Sequence, residues 1–438
     1  MIHNKSVLLA LVVSAYAMEM DSDSPRVEFH PVNPGSKTFH WILTLFILLI
    51  IPSISTIFAI ANKLSWSLLL HFIAAGYSIF DTLFLRFPDG DNHENRTSRG
   101  TSWFLTVLLG VTVFIGTLIN GTNLIINKFY PNYGGGNGEY GKMTKLYKSL
   151  SVIVVLTGWV RVCMAPVALF GFCYGRHTGQ CIAHGIMGSA FIGYSFVLSL
   201  VLVVPWIRKH QLLSPNTPTQ SQEFYDSTVM MVWGIVNTFT EHRWGEEDWS
   251  MGDYQHTSMG IIWWAGGLLG MFLSRKNKRS FIPGLLLIFT GYSMSAHSQH
   301  LMISTKVHAV FGIALMSAGV SRIVEISFLL AGKSCSLPNG EILQFQYFPS
   351  FCLCLAGILF MGATEEQLQL VHDLGSDHSA YILVVSSAAF MIFLWFQVLL
   401  WGYLKLVGYD EDGELATGIK YESIQDFEMD EIEDNETV

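Results

Sequence analysis

The sequence predicts an all-α, polytopic membrane protein with about eleven transmembrane helices in two helical bundles. Of its 438 residues, 51 % are apolar and only 13 % are charged, and the mean hydropathy is +0.40. Soluble domains carry roughly a quarter charged residues. Eleven apolar runs are long enough to cross a bilayer, and Lys and Arg concentrate between alternate runs. This composition excludes a soluble enzyme, a disordered protein and a nucleic-acid-binding protein.

The N-terminus has the pattern of a signal peptide in residues 1–17. Its apolar run, Val7–Val13, is too short for a span and is followed by Ala15 and Ala17, the small residues that signal peptidase requires. A short uncleaved anchor is the alternative. Residues 18–38 are then expected to form an irregular luminal segment.

Each of the eleven runs supplies the roughly 20 mostly apolar residues that a transmembrane helix needs. They lie at Trp41–Ala61, Leu64–Leu85, Trp103–Ile126, Leu150–Phe172, Ile182–Trp206, Phe224–Thr240, Thr257–Leu273, Phe281–Met302, Val307–Leu330, Phe348–Ala363 and Ala380–Leu404. The polar, turn-forming stretch 211–222 is predicted to be a cytosolic linker. It divides a five-span domain at 39–210 from a six-span domain at 223–408.

The net charge of −9 comes from the C-terminal tail, residues 409–438. The stretch from Asp410 to Glu436 holds twelve acidic residues and one basic residue, and the rest of the chain has a net charge of +2. We expect this tail to be disordered. Its segment Tyr421–Ile424 has the Tyr-x-x-apolar form that cytosolic sorting adaptors read.

The charge distribution predicts a luminal mature N-terminus and a cytosolic tail. With this orientation, fourteen Lys and Arg residues lie on the cytosolic side and eight on the luminal side. The glycosylation sequon at Asn95 then falls in a luminal loop. Cys173 and Cys181 border another luminal loop, where a disulfide and two free thiols are about equally expected. The predicted location is the secretory system: the Golgi, the vacuole or the plasma membrane.

Histidines are distributed unevenly across the predicted membrane. Twelve of the fifteen fall on the luminal side, and the densest group comes from the sixth to ninth runs. There the run ends carry Glu241, His256, His297, His300 and His308. His297 and His300 share one helix face because they are three residues apart. Imidazole and carboxylate together suit a divalent transition metal such as zinc, iron, manganese or copper. The alternative is that these histidines bridge lipid headgroups and loop backbone.

Three further histidines are candidate ligands of one haem b. His40 and His184 begin the first and fifth runs at the same luminal depth, as a bis-histidine haem site requires. His71 has no histidine at its own depth and is predicted mainly as a hydrogen-bonded packing residue. Two buried charge pairs are also predicted, Arg322 with Glu325 and Asp81 with Arg161, because intramembrane charges are costly unless paired.

Five strings of the C-terminal half resemble the fungal Ytp family of membrane proteins. They are Trp233–Gly245, Gln255–Gly267, Gly291–His300, Ser304–Gly312 and Arg322–Ile326. The N-terminal half is distantly similar to the membrane regions of b-type cytochromes and ferric reductases, which bind two haems through four histidines. In that likeness His40, His71 and His184 match, and Tyr147 or Lys148 stands at the fourth position. The resemblance implies a fungal source and a secretory-pathway membrane.

Two classes of function follow. One is a protein in the lipid bilayer that binds a metal ion for transport or sensing, or passes electrons from a small electron donor. The other is a non-catalytic trafficking or scaffold protein, which the adaptor motif in the tail would support. The sequence contains no phosphate-binding loop, dinucleotide fingerprint or nucleophile elbow, so whether the chain is an enzyme stays open.

Overall fold

The computed structural model places α-helices along the predicted spans. It describes residues 34–85, 96–129, 137–173, 177–205, 207, 220–240, 242, 249, 251–276, 278–296, 301–330 and 342–409. The predicted signal peptide, the linker residues 211–219, Asn95 and the adaptor motif Tyr421–Ile424 lie outside these ranges. No β-strand occurs in the described part of the chain, so the all-α prediction is confirmed there.

Twelve helices are numbered here in chain order. They are α1 (Pro34–Leu45, continued by Phe46–Ile50 and Ile51–Ile60), α2 (Leu64–Phe84), α3 (Arg96–Phe129), α4 (Asn137–Cys163, followed by a short helix at Ala165–Phe170), α5 (Thr178–Val203), α6 (Gln222–Thr240), α7 (Met251–Leu273), α8 (Ile282–Ala296), α9 (Met302–Val324), α10 (Phe348–Met361), α11 (Glu365–Asp373) and α12 (His378–Leu406). Each of the eleven predicted spans coincides with one of these helices, and α11 is an additional short helix.

Eight of the described helices are long and apolar enough to cross a membrane. The other three predicted spans, α6, α7 and α8, are helices that pack against one another, and α8 packs against α9. The first turns of α6 and α7 contain Glu223 and Asp253, which lower their apolarity. The described part of α8 ends at Ala296 after 15 residues. The eight long apolar helices make this an integral membrane protein. The total of eleven transmembrane spans stays a prediction.

The helix contacts group the chain differently from the predicted five-plus-six division. Helices α1 to α4 pack against one another, but α5 packs chiefly against α10 and also contacts α12. The N-terminal group therefore has four helices, and α5 joins the C-terminal group. Hydrophobicity locates spans but does not identify their packing partners, which is why the sequence suggested the linker as the divide.

Close contact between α5 and α10 depends on a pair of glycines. A β-carbon on Gly188 would lie 2.6 Å from the carbonyl oxygen of Gly357, and one on Gly357 would lie 2.6 Å from that of Gly188. Real side chains do not approach a backbone so closely. Gly291 of α8 and Gly312 of α9 face each other in the same way. Small residues at such crossings let membrane helices gain van der Waals contact.

Helix α1 departs from the prediction at its start and from regular geometry in its middle. Its described part begins at Pro34, so helix is present before the boundary predicted at residue 39. Its middle segment, Phe46–Ile50, is a π-helical turn just before Pro52. Pro52 cannot donate to the preceding turn, so the ladder of hydrogen bonds is interrupted at this point.

Candidate functional site

Histidines from two helices meet at the predicted luminal ends of the C-terminal group. His184 lies in the second turn of α5 and His308 in the second turn of α9, and both side chains are buried. Their ring centroids are 6.4 Å apart and the rings are perpendicular. His256, in the second turn of α7, is close enough to interact electrostatically with His184. We call His184, His256 and His308 the histidine cluster.

Backbone carbonyls fix the proton of two of these imidazoles. His184 Nδ1 lies 2.8 Å from the carbonyl oxygen of Gln180, and His308 Nδ1 lies 2.9 Å from that of Ser304. A carbonyl oxygen can only accept a hydrogen bond, so each Nδ1 carries the proton and donates it. The lone pair of each ring is therefore on Nε2. Metal-ligating histidines have this arrangement, with the second nitrogen bonded to a carbonyl or carboxylate.

The Nε2 atom of His184 is buried and has no hydrogen-bond partner within the described residues. An unsatisfied buried acceptor costs roughly 1–3 kcal/mol. The ring is nevertheless held in place, because it stacks on Phe360 of α10 with centroids 4.4 Å apart. Phe360 in turn packs against Phe311 of α9. The ring thus has a fixed orientation and a lone pair that no described protein group uses.

The geometry of the cluster fits a metal only in part. Two imidazoles bound to one ion through Nε2, about 2.0–2.1 Å from it, have centroids roughly 5–6 Å apart. The observed 6.4 Å is slightly wider. Within the described residues, the three histidines do not bring three ligand atoms within 4.8 Å of one another. The remaining predicted ligands, Glu241, His297 and His300, lie outside the described residues.

One group of described residues does meet that distance criterion, but it is not a metal site. Cys173, Cys181 and Glu366 have ligand atoms within 4.8 Å of one another. The two sulfurs are joined in a disulfide, which consumes the thiolates that a metal would need. Of the two readings of this cysteine pair, the structure selects the disulfide. Glu366 Oε2 accepts the backbone N–H of Cys173 at 2.6 Å, which ties α11 to this loop.

The predicted haem pair of His40 and His184 does not fit the structure. His40 Nδ1 lies 3.1 Å from the Tyr77 hydroxyl, and its Nε2 lies 3.3 Å from Asp81 Oδ1. Both ring nitrogens therefore have protein partners, and neither is available to iron. His184 stacks on Phe360 in the other helix group. The two histidines were paired because they were predicted to lie at the same depth in the membrane. Depth does not determine which helices are neighbours.

His71 is a packing residue, as predicted. It is fully buried, and its Nδ1 lies 2.9 Å from the Ser55 hydroxyl and 3.0 Å from the Tyr147 hydroxyl. Tyr147 occupies the position where the cytochrome likeness would need a fourth histidine. Here it is a hydrogen-bond partner of His71, so these residues form a polar contact between helices. The resemblance of the N-terminal half to b-type cytochromes stays a prediction.

Both predicted charge pairs are confirmed, and one belongs to a larger network. Arg161 lies 3.3 Å from Asp81, and Arg322 lies 2.6 Å from Glu325. Glu223 of α6, which the sequence reading did not single out, accepts hydrogen bonds from both Arg322 and Arg279. Glu223 directly precedes the predicted span Phe224–Thr240, and a carboxylate this close to an apolar run needs a partner.

The comparisons with known proteins identify the family. The family model "Protein YTP1-like, C-terminal" matches residues 157–403. Protein YTP1 of Saccharomyces cerevisiae is 50 % identical over 419 residues, which cover 95 % of this chain and 89 % of that protein.

More distant relatives are membrane proteins as well. An uncharacterized membrane protein of Schizosaccharomyces pombe is 26 % identical over 307 residues, covering 60 % of this chain and 58 % of the relative. A second uncharacterized membrane protein of S. cerevisiae is 26 % identical over 261 residues, 47 % of this chain and 41 % of the relative. No solved structure matches the chain. With more than half of the chain matched by the family model and half of its aligned residues identical to Protein YTP1, the chain belongs to the YTP1-like family of membrane proteins.

Proposed function

We propose that this membrane protein handles a transition metal ion, which it binds at the histidine cluster near the luminal ends of α5, α7 and α9. The observation that carries the proposal is the buried Nε2 of His184, which has a lone pair and no partner within the described residues. His308, 6.4 Å away, is held in the same tautomer by its own helix. Glu241, His297 and His300, which follow α6 and α8 in the sequence, complete the proposed ligand set.

Metal handling is favoured over electron transfer by the state of the other histidines. A haem-based electron path needs axial ligands with a free nitrogen. Both nitrogens of His40 have partners, and His71 is bonded to hydroxyl groups. By contrast, the Nε2 atom of His184 is buried and has no hydrogen-bond partner within the described residues.

We further propose that the cluster faces an oxidising lumen of the secretory pathway. The Cys173–Cys181 disulfide lies next to the start of α5, a few residues before His184. Disulfides persist in oxidising compartments and are rare in the cytosol. The cysteine pair and the positive-inside bias of the sequence therefore favour the same orientation.

Elemental analysis of the purified protein tests the proposal. We expect about one transition metal ion per chain after purification in detergent, because the proposed ligands belong to a single site. His184→Ala and His308→Ala should each lower metal affinity by about tenfold or more. His372→Ala is the matched control, since His372 is exposed and contacts only Asp373 among its described partners.

Two results would overturn the proposal. One is folded protein that contains no metal and takes up none from zinc, iron, manganese or copper solutions. The other is equal metal content in the His184, His308 and His372 variants. In either case the cluster would be a packing contact between helices, as His71 is.

A further inference from the structure

A second cluster of ionisable side chains lies at the predicted cytosolic ends of α5, α6, α9 and α10, at the opposite end of the bundle from the histidine cluster. We call it the cytosolic network, and its members are Tyr194, Gln222, Glu223, Asp226, Arg279, Arg322, Glu325 and Gln346. Arg279 comes from the stretch between α7 and α8. The network shares no residue with the proposed metal site.

The two guanidinium groups of the network neutralise two of its carboxylates. Arg322 lies 2.6 Å from Glu325 and 3.1 Å from Glu223, and Arg279 lies 2.8 Å from Glu223. Gln346 Nε2 also donates to Glu325 Oε1 at 3.2 Å. Two positive and two negative charges therefore balance within this part of the network.

Asp226 is the third carboxylate, and its contacts are of a different kind. Its Oδ1 accepts a hydrogen bond from the Tyr194 hydroxyl at 2.5 Å, and that hydroxyl accepts one from Gln222 Nε2 at 3.2 Å. Among the described residues, no arginine, lysine or histidine forms an ion pair with Asp226. The network thus contains one more carboxylate than it has guanidinium groups.

Glu223 indicates the same shortage of positive charge and of donors. Its side chain is 1 % exposed, and its Oε2 is buried without a hydrogen-bond partner in the described part of the chain. Asp226 lies three residues further along α6, so the two carboxyl groups share one helix face, with about 5–6 Å between β-carbons. Two ionised carboxylates at this spacing repel each other.

We propose that Asp226 is a proton-binding site that exchanges its proton with the cytosolic side. A charge that is removed from water without a counter-ion is costly, and a carboxylate avoids this cost by taking up a proton. The proton comes from water and forms an O–H bond at Oδ2, which turns the carboxylate into a neutral acid. On release it returns to water. Tyr194 is able to donate to Oδ1 in both forms.

The groups that face Asp226 act in opposite directions. They are Tyr194 of α5, Glu223 on the same helix, Arg279 before α8 and Arg322 of α9. The tyrosine donor and the two arginines favour the ionised carboxylate, whereas Glu223 and burial favour the neutral acid. The titratable residues of α7 and α8 lie toward the predicted luminal ends of these helices. Because the effects oppose one another, the carboxyl group is able both to take up and to release a proton.

A small cavity adjoins this site. Its volume is about 20 Å³, enough for one water molecule, and its polar lining residues are Gln222, Arg322, Glu325, Gln346 and Ser350. Gln222 also donates to the hydroxyl of Tyr194, which contacts Asp226. The cavity therefore supplies a polar surface beside the proton site at the predicted cytosolic ends of the helices.

The contact between Asp226 and Tyr194 joins two helices that otherwise hardly pack against each other within the described ranges, α5 and α6. Hydrogen bonds to an ionised group are roughly twice as strong as those between neutral groups. Uptake of a proton by Asp226 therefore weakens the connection of α5 to α6. Because α5 also carries His184 at its other end, the proton site and the histidine cluster share a helix.

Infrared spectroscopy of the full chain in detergent, recorded as a function of pH, tests the proposal. We expect the parent to show the carbonyl stretch of a protonated carboxylic acid near pH 7, and this band should disappear as the pH rises. Asp226→Asn should remove it from the difference spectrum. Asp373→Asn is the matched control and should leave it in place, since Asp373 is exposed.

A second variant reports on the proton site without removing it. Tyr194→Phe keeps the ring and removes the donor to Asp226, so the ionised form is stabilised less. The band should then persist to a higher pH, with its midpoint raised by about one pH unit or more. A hydrogen bond with a merely structural role would leave the midpoint unchanged. This variant decides the matter if Asp226→Asn does not fold.

Three results would overturn the proposal. They are a parent chain without a titrating carboxylic acid band near neutral pH, a band that remains in folded Asp226→Asn, and a melting temperature that rises with Na⁺ but does not respond to pH. In the last case a metal cation, and not a proton, would balance the extra carboxylate. A metal-free parent chain that shows the Asp226 band would overturn the proposed function alone.

Discussion

Arg161 is one of the largest fully buried side chains in the described part of the protein, and its contacts explain how an arginine is tolerated within a span. Its guanidinium donates to Ser98 at 2.8 Å and to Asp81 at 3.3 Å, and it lies 4.5 Å from the centre of the Trp41 ring. Asp81 also faces His40. Residues of α1, α2, α3 and α4 therefore meet around one buried ion pair.

Replacing Arg161 with Met should destabilise the protein by about 3 kcal/mol, because Asp81 is left as a buried charge without its cation. The further change Asp81→Asn should recover part of the loss. The measurement is the unfolding midpoint of the purified protein in a detergent series. Arg275→Met, at an exposed arginine, is the control and should shift the midpoint little. Equal shifts for Arg161 and Arg275 would contradict this account.

Glu366, which lies outside the predicted spans, makes the stability of the fold depend on pH. Burial raises the pKa of its carboxyl above the usual 4.5, and this outweighs the opposing effects of the Cys173 N–H and of His177. The folded state thus holds the proton more tightly than the unfolded state. The stabilisation from this group is complete below the unfolded pKa and is lost as pH rises through the folded pKa.

The variant Glu366→Gln resembles the protonated form at every pH. We expect it to melt at a higher temperature than the parent near pH 7 and to lose this advantage as the pH falls toward 4. Glu365→Gln, one residue away, is the control. A constant difference in melting temperature between the Glu366 variant and the parent across this range would show that the carboxyl does not titrate as argued.

At the residue scale, the sequence predicted the buried ion pairs but did not predict which histidines lie side by side. The pairs Arg322–Glu325 and Asp81–Arg161 followed from the cost of an unpaired charge in a membrane, and both occur. His184 was paired with His40 by depth, but the structure places it beside His308. Depth follows from position along a helix, whereas the choice of neighbour depends on packing of side chains from several helices.

At the scale of helices, contact between α5 and α10 depends on the missing side chains of Gly188 and Gly357. Each glycine lies against the backbone of the other, so neither has room for a methyl group. Gly188 is also one turn below His184, whose ring stacks on Phe360 of α10. The same crossing therefore holds the two helices together and sets the position of a candidate ligand.

Gly188→Ala should separate α5 from α10 and cost about 1–3 kcal/mol, as overpacking does in other cores. Gly193→Ala is the matched control on the same helix, because a β-carbon there meets no atom within 4 Å. The control should be neutral or slightly stabilising, since alanine favours the helix. Thermal unfolding of the two variants in one detergent distinguishes them. If both unfold with the parent, the crossing is looser than the structure indicates.

Helix positions were predictable and helix partners were not. Each span appeared as an apolar run, because a bilayer demands about 20 apolar residues from any helix that crosses it. The assignment of α5 to the C-terminal group could not be read from hydropathy, since lipid-facing and protein-facing surfaces are both apolar. The Gly188–Gly357 contact shows what decides it: small residues at matching heights on two helices.

At the scale of the whole molecule, the metal proposal needs the histidine cluster to face the lumen. The Lys and Arg bias of the loops, the sequon at Asn95 and the Cys173–Cys181 disulfide favour this orientation independently. An inverted chain would place the disulfide in the reducing cytosol and most Lys and Arg residues in the lumen.

We therefore expect Asn95 to carry a glycan and the C-terminal tail to be open to protease on the cytosolic side. Asn95→Gln should abolish a glycosidase-sensitive mobility shift, and Thr97→Ala should do the same, because the sequon needs both residues. Asn92→Gln is the control, since Asn92 lies in the same predicted luminal loop and Asn92-His93-Glu94 is not a sequon. In sealed vesicles, protease should remove an epitope placed after Val438 and leave the glycan-bearing loop intact. Protection of that epitope would invert the orientation, and the histidine cluster would then face the cytosol, where a metal site would serve uptake from the cytosolic side.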